Sequence, residues 1–84
     1  MDKKLLDEWY TMKDRCEYKD YHSYIDYGGR GIKICDEWRN GFSPFACWAK
    51  ENGYKEGRYL TRRNLDKDFC PENCKWNEMN TLFL

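Results

Sequence analysis

Most of the chemistry open to this 84-residue chain rests on five cysteines, one histidine and a few clustered arginines and glycines. Cys70-x-x-x-Cys74 brackets Pro71 and can form a knuckle. With Cys16 and Cys35, four thiolates would make a structural tetrahedral zinc site, in which His22 could replace one ligand. The competing reading is reduced thiols buried as small core residues. Cys47, beside Trp48, reads as core. An odd number of cysteines argues against a disulfide framework. Gly28-Gly29-Arg30-Gly31 can cradle a phosphate on its N–H groups, with Arg30 adding charge. It is not a Walker or dinucleotide motif, so a tight turn leading into a strand is the simpler expectation.

The elements that must position these groups belong to one small domain spanning 1–84, with a compact part over about 3–76 and a tail over 77–84. Charged residues make up 36% and hydrophobic residues 40%, so seven Tyr, four Trp and four Phe must supply most of the core. No apolar run approaches the length of a membrane span. None follows Met1-Asp2-Lys3-Lys4 either, so no secretory signal is visible and the expected location is cytoplasmic. The net charge is zero, but residues 1–27 sum to −2, 28–63 to +4 and 64–84 to −2. A basic centre between acidic ends suits a phosphate-facing surface. A zero total argues against strong non-specific DNA binding.

Leu5, Trp9, Met12 and Cys16 recur at spacings of four, three and four, which predicts a helix over about 3–17. Glu17 to Tyr27 lacks helical period and reads as a loop pinned by Tyr18, Tyr21, Tyr24 and Tyr27. Ile32-Lys33-Ile34-Cys35 alternates like a short strand, with a turn at Asp36-Glu37-Trp38. Ser43-Pro44 predicts a second helix, Ser as N-cap and Pro at the first helical position, ended by Asn52-Gly53. Tyr59 to Arg63 predicts another strand, Asp66-Lys67-Asp68 a polar turn, and Asn77 to Leu84 one fraying helical turn. The fold class is therefore α+β.

Arg15-Cys16, Tyr24-x-x-Tyr27-Gly28-Gly29-Arg30-Gly31-Ile32, Cys35-x-x-Trp38, Trp48-Ala49-x-x-Asn52-Gly53-Tyr54 and Pro71-Glu72-Asn73-Cys74-Lys75-Trp76 occur in one order. That order resembles small HNH-type homing-endonuclease-like proteins of bacteriophages and mobile elements over about residues 12–76. The resemblance implies a ββα-metal finger, a β-hairpin packed on short helices that grips one divalent ion against a phosphate, with nucleic acid as partner. It makes His22 and Asn73 the catalytic candidates. Thr61 and Asn64, however, stand where such proteins carry acids, and a Thr hydroxyl supplies no charge to a metal.

The resulting expectation is an HNH-like protein that binds nucleic acid without cutting it. Arg30, Lys33, Arg58, Arg62 and Arg63 would contact phosphates, with Tyr24 and Tyr27 as stacking surfaces. Asn73 and Asn64 would serve turn hydrogen bonds. One alternative is an anti-defence inhibitor bound to a host nuclease in the cytoplasm of the host cell, suggested by the neutralised acids, the zero net charge and the apolar Leu82-Phe83-Leu84. The other is an active nickase, which alone would require a catalytic divalent metal.

Overall fold

The computed structural model describes residues 2–78 and shows an α+β arrangement, three helices followed by a two-stranded antiparallel sheet. Helix α1 spans Lys3–Glu17. Asp2 caps it by accepting from the Leu5 N–H at 3.1 Å, and the predicted stripe of Leu5, Trp9, Met12 and Cys16 is its buried face. The Tyr-rich loop is not featureless. It carries two single 3₁₀ turns, Tyr24–Asp26 and Gly28–Arg30, the second closed by Gly31 at φ 86°.

The strand expected at Ile32–Cys35 does not form. Its alternation is real, for Ile32 and Ile34 are buried and Lys33 is exposed. The segment nevertheless makes only one isolated parallel bridge, Ile34 to Phe69, with 2.9 Å bonds from Phe69 N–H to Lys33 O and from Cys35 N–H to Phe69 O. Alternation reports which side chains are buried; a strand also needs an extended partner. The expected turn after it is a one-turn helix, α2 (Asp36–Arg39).

Helix α3 spans Phe42–Glu51, starting before the predicted cap. Gly41 is the N-cap, and Ser43 and Pro44 lie inside the first turn, where a missing N–H leaves no helical bond unmade. Asn52 ends the helix and Gly53 follows at φ 92°, as the Asn-Gly pair predicts. Phe45 and Ala49 are buried, but Cys47 faces solvent rather than the core.

Strands β1 (Arg58–Arg62) and β2 (Cys74–Glu78) pair from Arg58↔Glu78 to Arg62↔Cys74. Asn77 and Glu78 are strand, not the start of a helical turn; 79–84 lie outside the described residues. Leu60, Arg62, Cys74 and Trp76 form the inner face of this ribbon against the core. Three Trp and two Phe are among the thirteen described buried hydrophobic residues of that core, and no Tyr is, because the tyrosines pack at its edge or stay exposed. Trp38 and Phe45 meet edge to face at 5.0 Å, and Tyr54 and Trp76 at 4.9 Å. The Trp9 indole N–H donates to Trp38 O at 2.8 Å, fastening α1 to α2. Among the described residues no helix is long and apolar enough to cross a membrane.

Candidate nucleic-acid interface

The alternation that buries one face of the ribbon presents the other. Tyr59 lies opposite Asn77 and Thr61 opposite Lys75, with Arg63 just past the end of β1, where its N–H donates to Asn73 O at 2.6 Å. This outer face carries two cations, Arg63 and Lys75, both exposed and free of ion pairs among the described residues, and no acid. Of its members only Arg63 was expected from sequence. Lys75 was missed because β2 was not read as a strand; the alternation Cys74, Lys75, Trp76, Asn77 was the signal that could have found it.

The loop that joins the strands, 64–73, is held by Asn73. Its Oδ1 accepts from Asn64 N–H at 2.9 Å, and its Nδ2 donates to Asn64 O at 3.0 Å and Asp68 O at 2.9 Å. Three bonds use the amide almost completely. Arg62 buttresses the same loop from beneath. It is only 8% exposed, donates from Nη1 to Leu65 O and Lys67 O at 2.8 Å each, and lies over the rings of Tyr27 and Phe69. The loop walls a cleft of about 650 Å³ lined by Arg63, Lys67, Cys70 and three carboxylates, Asp66, Asp68 and Glu72, among others.

The remaining sequence candidates are dispersed. Arg30 is exposed but paired with Asp66 at 2.7 Å, and Arg58 is paired with Glu78 at 2.8 Å. Lys33 is exposed, and its backbone N–H donates to Asp68. Tyr27 is packed on three sides, beneath the Arg15 and Arg62 guanidiniums and against Phe69. The Tyr24 ring lies on the backbone of Gly28 and Gly29. Tyr27 is thus enclosed, whereas Tyr24 is half-exposed with one side of its ring against the glycine backbone. Gly28 and Gly29 serve this packing, and the Gly-rich segment forms the expected tight turn. His22 is exposed and packs on Tyr21 at 4.5 Å, with no hydrogen bond to the hairpin among the described residues. No hydrogen bond joins His22 to Asn73 among the described residues.

Among the described residues no group of three or more His, Cys, Asp and Glu side chains is drawn together in a way that could hold a metal ion. Cys70 acts electrostatically on Cys35, and both act on Cys74, whereas the charged groups acting on Cys16 are Arg62, Glu17, Asp68 and Arg15. All five cysteines are free thiols. Burial pushes Cys16 and Cys74 up to about 12 from 9.0. An acid whose folded pKa is raised keeps its proton in the fold while the unfolded chain loses it. Stability is thus unaffected below about pH 9 and falls as pH rises from 9 towards 12, by up to ~1.4 kcal/mol per thiol per pH unit. Urea melts at pH 8, 9 and 10 should show that decline, and Cys16→Ala should reduce its slope. A pH-independent midpoint over this range would contradict it.

Searches against protein-family models, curated proteins and solved structures find no match to this chain.

Proposed function

We propose that this chain is a nucleic-acid-binding module related to the HNH-type proteins, one that grips duplex phosphates with the outer face of its hairpin and does not cleave them. The single observation carrying this reading is the ribbon face of Tyr59, Thr61, Lys75 and Asn77, continued by Arg63, whose two cations make no ion pair among the described residues. A duplex fits it better than a single strand. Single-strand binders rely on aromatic platforms, and Tyr27, one of the two candidate tyrosines, is packed under two guanidiniums and against Phe69. A two-stranded ribbon also has the width that a major groove admits.

Kinship with the ββα-metal finger draws support from the hairpin and its Asn73-held loop; the helix that would follow lies past Glu78, outside the described residues. Absence of cleavage draws support from three features. Thr61 sits on the outer face where HNH-type proteins carry an acid, Asn73 makes three hydrogen bonds within its own loop, and His22 packs on Tyr21.

Fluorescence anisotropy on a short labelled duplex across a salt series tests the proposal. Two phosphate contacts predict log affinity falling with log salt at a slope of about −1.8. The double variant Arg63→Ala/Lys75→Ala should bind about tenfold more weakly at low salt, with a flatter slope and an unchanged melting temperature. Equal affinity for the double variant and the parent would overturn the assignment of this face.

A further inference from the structure

The isolated parallel bridge has a chemical consequence beyond the ribbon. Residues 34 and 69 are paired in register, and both side chains are buried on one face. The next positions on the two segments, Cys35 and Cys70, directly follow the bridged pair, and both are half-buried. Adjacent strands run roughly 4.8 Å apart, inside the ~4.4–6.8 Å Cα separation that a disulfide accepts. Burial is the main cause that raises the Cys35 thiol, and the nearby Cys70 adds to it electrostatically. Cys74 also lies nearby but is only 2% exposed, and a backbone hydrogen bond from Cys70 reaches its sulfur.

From this register we infer that Cys35 and Cys70 form an oxidisable dithiol, a modification site at which a hydroperoxide makes a disulfide that staples the hairpin loop to the segment in front of α2. The steps balance. Cys70, the more open of the two, attacks the peroxide as thiolate, the O–O bond breaks, and the departing hydroxide takes up the thiol proton and leaves as water. The sulfur is left as a sulfenic acid. The Cys35 sulfur then attacks it, the S–O bond breaks, a second water leaves and the S–S bond forms. Two thiols are oxidised and one peroxide is reduced. Burial raises both thiols above the usual range, so oxidation is slow at neutral pH and accelerates as the solution becomes alkaline.

The test uses the full chain carrying Cys47→Ser, which removes the exposed thiol that could link two molecules. Hydrogen peroxide should lower the intact mass by about 2 Da under non-reducing conditions, the loss of two hydrogens in disulfide formation. Alkylatable thiols should fall by two, and peptide mapping should recover residues 35 and 70 in one cross-linked fragment. The melting temperature should rise by several degrees and return with reductant. Cys70→Ser, or Cys35→Ser, should abolish the mass loss. A link through Cys74 or Cys16, or accumulation of sulfinic acid without a link, would overturn the assignment. The mapping needs no variant at either position, so misfolding of a serine variant would not obscure the result.

Discussion

Gly28→Ala should lower the melting temperature of this domain by roughly 10–20 °C, a loss of ~2–3 kcal/mol. A Cβ at this position would lie well under 3.0 Å from the carbonyl oxygen of Cys16 and from the Tyr24 ring. The first obstacle is backbone in the last turn of α1, whose position is set by the buried Met12 and Cys16. The second is a ring that itself lies on Gly28 and Gly29. Neither can retreat without opening the junction between α1 and the two 3₁₀ turns. Gly31 supplies the contrast within the same motif. Nothing stands within 4 Å of a Cβ there, but φ is 86°, so Gly31→Ala should cost only the ~1 kcal/mol of a left-handed L-residue. Thermal and urea melts of the two variants decide the matter. Equal losses would mean that the close approach of Gly28 to α1 does not limit the fold.

Replacing Arg62 separates structural from displayed arginines. Arg62→Ala strands the carbonyls of Leu65 and Lys67 and uncovers the stacked rings of Tyr27 and Phe69. The expected loss is ~3 kcal/mol, from the unmade charged hydrogen bonds together with the lost packing. Lysine should not rescue it, because a single ammonium cannot reproduce a planar group that lies over two rings and donates to two carbonyls. Arg63→Ala, one residue on and exposed, should change stability by less than about 0.5 kcal/mol while weakening duplex binding. Chemical denaturation of the three variants checks the contrast. If Arg62→Ala melts like the parent, its bonds to the loop carry no weight and its original place among the phosphate contacts regains force.

This pair of neighbours shows what the sequence could and could not disclose. Arg62 and Arg63 are the same residue type side by side, and composition gives both to phosphate. Only the strand register turns one inward and the other outward. Where a local period settles the outcome, the sequence was legible: the stripe of Leu5, Trp9, Met12 and Cys16 fixes α1 and its buried face, and Asn52-Gly53 marks the end of α3. Where a distant partner settles it, reading failed. Ile32–Cys35 lacks an extended neighbour and stays a single bridge to Phe69, a contact that no local pattern announces. Tyr24 and Tyr27 looked like stacking surfaces because exposure cannot be inferred from residue type; glycine backbone and two guanidiniums claim them. Asn73 was better served, since turn bonding was the expected role and its three bonds within the loop match it.

The ribbon face can be tested residue by residue. Amide chemical shifts of the isotopically labelled chain, followed while a short DNA duplex is titrated in at low salt, report where contact occurs. The predicted result is a set of perturbations centred on Tyr59, Thr61, Arg63, Lys75 and Asn77, shrinking as salt is added. Shifts confined to α3 or to the turns around His22, or a spectrum that ignores the duplex at low salt, would contradict it.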